Sequence, residues 1–122
     1  MRTLFRNARL IGRDGESESR FLTVENGKIL SFREENADET VDLKGKWVVP
    51  GFVDIHAHGG GGFDLCDATP EAVIGMCATH AQHGTTTIFP TLVSCSREMI
   101  QAVCDVFRKT KAQLPCHAVG LH

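Results

Sequence analysis

The chain has 122 residues, with 13 Lys+Arg against 15 Asp+Glu, a formal net charge of −2, 42% hydrophobic and 23% charged residues. This balance excludes a disordered chain, and with no basic run beyond Arg108-Lys109-Thr110-Lys111 it argues against a nucleic-acid partner. No stretch approaches ~20 uncharged apolar residues, so no membrane-spanning helix is expected, and no apolar segment follows Arg2, Arg6 and Arg9 to make a secretory signal.

The five cysteines (Cys66, Cys77, Cys95, Cys104, Cys116) are odd in number and contain no CxxC pair. That usage suits reduced, mostly buried thiols in a cytosolic protein better than a disulfide framework.

Residues 1–50 read as short strands separated by turns. Thr3 to Ile11 carries Leu4, Leu10 and Ile11 and is followed by the turn Arg13-Asp14-Gly15. Arg20 to Glu25 and Lys28 to Arg33 flank Asn26-Gly27, a strong two-residue hairpin signal because both residues tolerate positive φ. An acidic loop, Glu34 to Glu39, precedes a short strand at Thr40–Leu43, and Gly45 turns the chain again. The expectation is a small antiparallel β domain, part of a sandwich-like unit.

Residues 51–122 change rhythm. Phe52 to His58 is a short, largely apolar strand ending in histidines, followed by a loop from Gly59 to Gly62. Thr69 and Pro70 give an N-cap and first helical residue, and the segment from Pro70 to His83 places Val73, Ile74, Cys77 and Ala81 at helical spacing before Gly84. Thr85 to Leu92 is β-rich, Ser94 or Ser96 caps a second helix to about Lys111, and His117 to His122 begins another strand. Strand and helix alternation predicts an α/β fold with parallel βαβ units.

The sharpest chemical feature is Asp54-Ile55-His56-Ala57-His58. Alternate side chains of a strand share a face, so His56 and His58 can reach one divalent ion from one rigid segment. Neutral imidazole suits zinc, and iron or another first-row metal as well. Gly59, Gly60 and Gly61 are candidates for substrate contact, since glycine lets backbone approach a ligand closely, and no GK[ST] follows to make a P-loop. Cys77, His80 and His83 are spaced i, i+3, i+6, too far round a helix to converge. The two histidines are instead expected to sit at the negative end of the helix dipole. Cys95, Cys104 and Cys116 are read as packing residues, and His117 has no distinctive partner. His122 ends a strand parallel to that of His56 and His58 and is a further candidate for substrate contact.

The run Val49-Pro50-Gly51-Phe52-Val53-Asp54-Ile55-His56-Ala57-His58-Gly59 resembles the opening signature of the amidohydrolase superfamily. Gly59 to Gly62, Gly84-Thr85-Thr86-Thr87, Pro90-Thr91-Leu92 and Gly120-Leu121-His122 narrow the resemblance to its N-acetylglucosamine-6-phosphate deacetylase family, over essentially the whole chain. The resemblance implies the N-terminal part of a metal-dependent (β/α)8 barrel, incomplete in these residues, behind the small β domain. It maps His56 and His58 onto the first-strand metal pair, leaving a site of one or two ions open.

The family's Gly-Leu-His continues into Leu-Glu-Gly-Pro, whose glutamate binds metal. That ligand, the later histidines and the carboxylate acting as general base are therefore expected beyond residue 122, with no catalytic base within the chain. A barrel needs about 250 residues, so an N-terminal segment of a larger enzyme, inactive alone, is expected. The implied reaction is metal-assisted hydrolysis of N-acetylglucosamine 6-phosphate to glucosamine 6-phosphate and acetate, with an amino-sugar phosphate as partner and a homodimer when full length. The alternatives are another amidohydrolase (a cyclic amidase or deaminase) or a non-catalytic βαβ module.

Overall fold

Asn26 and Gly27 take φ of 50° and 75°, the two positive values of a tight hairpin turn. They join strands β4 (Leu22–Glu25) and β5 (Lys28–Ser31), as the sequence predicts. The computed structural model describes residues 1–122, which divide into two compact units, 1–50 and 51–122.

In the first unit the run expected from Thr3 to Ile11 is broken in two. Asn7 takes φ of 55°, Ala8 is fully buried, and β1 (Arg2–Arg6) and β2 (Arg9–Gly12) enter different sheets. β3 (Gly15–Glu16), β6 (Glu39–Asp42) and β7 (Trp47–Val48) complete the unit. The sheets run β5-β4-β1-β6 and β3-β2-β7.

The expectation of an antiparallel domain is corrected here: β6 pairs parallel with β1, and β7 pairs parallel with β2. The segment after β5 crosses back so that β6 lies beside β1, with Asp38 N–H bonding to the Arg2 carbonyl and Leu43 N–H to that of Arg6. Ala8, Leu10 and Leu22 form the buried core of this unit. An apolar hollow of about 380 Å³ beside it, lined by residues such as Leu10, Leu22, Ile29, Phe32 and Val48, carries no titratable side chain. The chemistry lies in the second unit.

There, β8 (Phe52–Ala57), β11 (Thr85–Pro90) and β12 (His117–Ala118) form a parallel sheet in the order β12-β11-β8. Helices α1 (Pro70–Gln82) and α2 (Arg97–Thr110) are the crossovers. Thr69 Oγ1 accepts the Ala72 N–H to open α1, and Ser96 Oγ accepts that of Met99 to open α2. Gly84, at φ of 96°, follows α1 where an L side chain would be strained.

Val73, Met76 and Cys77 of α1 and Val103 and Phe107 of α2 pack with Ala57, Ile88 and Ala118 of the three strands. The expectation of mostly buried thiols holds for Cys77 alone, which is fully buried in this core where the Cys116 thiol approaches its carbonyl; Cys66, Cys95, Cys104 and Cys116 are half-buried because they lie at the edges of the packed layer. No helix is long and apolar enough to cross a membrane.

The glycine loop after β8 is more ordered than the sequence suggests. β9 (Gly59–Gly60) and β10 (Phe63–Asp64) form a small hairpin turned by Gly61 and Gly62 at φ of 63° and 87°. A short 3₁₀ turn at Leu65–Asp67 follows, capped by Asp64. The hairpin lies flush on α1: a Cβ on Gly61 would stand 2.2 Å from Thr79 Oγ1, and one on Gly75 2.5 Å from the Phe63 ring.

Candidate metal centre

Three chain segments emerge together at the C-terminal end of the parallel sheet. Thr91 N–H donates to the Ala57 carbonyl at 2.8 Å, His122 N–H to Pro90 at 2.9 Å, and Leu92 N–H to His122 at 2.9 Å. Because Pro90 has no N–H of its own, the ladder is carried past it by these neighbouring groups. Between the pairs Ile88↔Asp54 and Pro90↔Ala57, β8 advances three residues against two on β11. This bulge holds Ile55 and His56, and bulges re-aim side chains beside functional sites.

The outcome is convergence of the two histidines. His56 Nε2 and His58 Nε2 lie 3.1 Å apart, with the rings edge to face and their centroids 4.8 Å apart. His58 Nδ1 is 2.9 Å from the Thr91 carbonyl oxygen. A carbonyl only accepts, so Nδ1 carries the hydrogen and the Nε2 lone pair is aimed at His56. A lone pair facing a second imidazole nitrogen at this distance asks for a shared proton or a shared cation. Two zinc–nitrogen bonds of about 2.0–2.1 Å each can close such a gap, and the Nδ1-to-carbonyl bond is the usual outer support of a metal-binding histidine. The two histidines suit a divalent ion as part of its ligand set, while no group of three or more His, Cys, Asp or Glu side chains gathers to hold one.

His122 joins the pair. Its ring centroid is 5.0 Å from that of His56. Its Nδ1 stands 3.5 Å from Thr91 Oγ1, whose hydroxyl donates to Phe89. Thr91, nearly buried at 3% exposure, thus supports His58 through its main chain and His122 through its side chain. Sequence reasoning missed it, because a carbonyl role leaves no residue-type signal.

Asp54 completes the base of the site: its Oδ1 accepts the His56 N–H at 3.0 Å. His80 and His83 both lie at the C-terminal end of α1, as expected, but only His83 turns its ring back on the helix, its Nδ1 2.8 Å from the Thr79 carbonyl. His80 turns instead toward the strand end, its Nε2 3.0 Å from the Gly59 carbonyl oxygen and its Nδ1 3.7 Å from Asp54 Oδ2. The candidate contact residues Gly59, Gly60 and Gly61 lie directly after His58, and each has a packing reason to be glycine. A Cβ on Gly59 would meet the Phe63 carbonyl at 2.2 Å, and one on Gly60 the His80 ring at 3.0 Å.

Paired histidines at the C-terminal end of a parallel strand stand where βα-barrel enzymes place their active sites. The sequence model of the amidohydrolase family matches residues 39–116, and the chain belongs to that family. The N-acetylglucosamine-6-phosphate deacetylase of Homo sapiens is 34% identical over 127 aligned positions, which cover 97% of this chain and 29% of the human protein. Among solved structures, the enzyme of that name from Pasteurella multocida superposes with a TM-score of 0.84 at 26% identity, over 100% of this chain and 34% of its own. That from Thermotoga maritima gives 0.74 at 25% identity, over 98% and 31%. The chain therefore spans about three-tenths of the length of these relatives.

Proposed function

We propose that these residues are the N-terminal part of a metal-dependent N-acetylglucosamine-6-phosphate deacetylase with a (β/α)8 barrel, and that His56 and His58 are its first-strand metal ligands. The observation that carries the reading is the 3.1 Å approach of their Nε2 atoms at the C-terminal end of β8. The names of the relatives that cover nearly the whole chain support the substrate.

His56 and His58 would hold one or two divalent ions, zinc or equally iron or another first-row metal by their imidazole donors, and a bound ion would supply Lewis-acid activation of a water and of the acetamide carbonyl. The chain's own residues do the positioning. His58, locked by the Thr91 carbonyl, presents a fixed Nε2, and His56 is set opposite it by the bulge and by Asp54. His122 holds an Nε2 free beside them for contact with the bound sugar. Gly59 and Gly60 of β9 and Gly61 at the hairpin tip would offer backbone groups for contact with the sugar. An anionic sugar phosphate and five free thiols both suit a cytoplasmic setting.

The test is acetate release from N-acetylglucosamine 6-phosphate by the full-length protein, with metal content measured alongside. His56→Ala and His58→Ala are expected to lose both metal and activity. Hydrolysis of a cyclic amide or a heterocyclic amine in place of the sugar phosphate would transfer the assignment to another amidohydrolase. A folded full-length protein with neither metal nor hydrolysis would make this a non-catalytic module.

A further inference from the structure

His80 lies outside the histidine pair, yet it touches the chain on both sides of it. Before the pair, Asp54 uses one carboxylate oxygen to accept the His56 N–H at 3.0 Å and turns the other toward His80 Nδ1 at 3.7 Å. After the pair, Gly59 directs its carbonyl at His80 Nε2, 3.0 Å away. The carbonyl can only accept, so Nε2 carries a hydrogen and donates, and the contact of Nδ1 with the Asp54 carboxylate is attractive when Nδ1 carries a hydrogen as well. The Asp54 and His80 side chains are 31% and 25% exposed, so the contacts are partly shielded from water. The hairpin backbone lies so close to the ring that a Cβ on Gly60 would meet Nε2 at 3.0 Å and Cδ2 at 3.3 Å.

We propose that His80 is a positioning residue of the His56–His58 pair, a brace from α1 that fixes the chain where it enters the pair at Asp54 and where it leaves at Gly59. The inference rests on reading that pair as a metal site. A metal held by two side chains two residues apart depends on the backbone between them, and β8 is bulged there. His80 restrains that backbone from the side, at the Gly59 carbonyl and the Asp54 carboxylate. Outer partners of this kind change metal affinity by about 10–100-fold when removed.

The experiment titrates the full-length protein with Co(II), reading affinity and the visible d–d spectrum, for the parent, His80→Leu, His80→Gln and His80→Glu, with thermal melts of each. Leucine fills the space without a donor, glutamine restores an N–H near the position of Nε2, and glutamate offers Gly59 and Asp54 only further acceptors. Leu and Glu are expected to weaken Co(II) binding tenfold or more and alter the spectrum, and Gln to recover most of the affinity. Where the Leu variant does not fold, the Gln–Glu pair decides.

Parent-like affinity and spectrum in a folded Leu or Glu variant overturns the proposal, as does an equal loss in Gln and Glu. His56→Ala and His58→Ala separate the two failures. If they abolish Co(II) binding while folded His80→Leu keeps it, only the role of His80 falls. If they leave binding unchanged, the metal-site reading falls and takes this one with it.

Discussion

His58 Nδ1 is anchored to the main-chain carbonyl of Thr91, 2.9 Å away and just past the end of β11. No side-chain substitution at position 91 removes that acceptor, whereas the contact of His122 with Thr91 Oγ1 disappears with the hydroxyl. Thr91→Val in the full-length protein is therefore expected to keep its metal while losing about 1 kcal/mol of stability from the hydroxyl's hydrogen bonds. His58→Ala is expected to lose the metal. Metal content by mass spectrometry and urea unfolding of both variants check this, and metal loss in Thr91→Val would show that the hydroxyl matters more than the carbonyl.

The two glycines at the hairpin tip separate backbone strain from close packing. Gly61 and Gly62 both have positive φ, but a Cβ on Gly62 meets nothing within 4 Å, while one on Gly61 lands 2.2 Å from Thr79 Oγ1. Gly62→Ala is expected to cost about 1–2 kcal/mol, the left-handed penalty alone. Gly61→Ala should cost clearly more. Adding Thr79→Ala should return Gly61→Ala toward the Gly62→Ala value, with the Thr79→Ala single variant completing the cycle. Equal losses in the two glycine variants, or no recovery in the double variant, would count against the packing described.

What the sequence makes legible here is local. Asn26-Gly27, Thr69-Pro70 and Gly84 specify their turns and caps by their own backbone preferences. The period of two in Asp54, His56 and His58 announces a shared face. The parallel pairing of β6 with β1 depends on a crossover between distant segments, and the break at Asn7 depends on burying Ala8. Neither leaves a mark in a short window. Thr91 acts through a group every residue owns, so only the strand register shows its role. The histidines at 80 and 83 are equivalent on local grounds, both near the negative end of a helix. Only the placement of α1 against the end of β8 sends one of them to Asp54.

Cys77 should be the last thiol to react. It is fully buried, and burial, followed by the neighbouring Cys116, pushes its thiol up to about 12. At pH 8 about one molecule in 10⁴ would carry the reactive thiolate even if reagent could enter. Labelling of the native protein with a disulfide reagent at pH 8 is expected to spare Cys77 until unfolding exposes it. Because the folded value is raised, this thiol favours the folded state below about pH 9 and loses that contribution as pH climbs toward 12. Peptide mapping that finds Cys77 modified early, under native conditions, would contradict the core described.

The acid response of the first unit centres on Glu16. Arg9 donates to its two oxygens at 3.1 and 3.0 Å, and Arg20 adds a third contact at 2.9 Å. The Arg9 guanidinium in turn sits 3.6 Å over the Trp47 ring, which holds it in place. The hydrogen bonds from Arg9 first, then Arg20, draw the Glu16 carboxyl down to about 2. A carboxyl lowered in the folded state stabilises folding above its unfolded value near 4.5 and loses that contribution as pH falls toward 2. Glu16→Gln should therefore flatten the pH dependence of stability across that window. Because the group is exposed, 1 M salt, with a Debye length of about 3 Å, should move its titration back toward the ordinary carboxylate range. A carboxyl-carbon NMR titration decides the matter: Glu16 titrating near 4.5 at low salt would mean that the two arginines do not hold it.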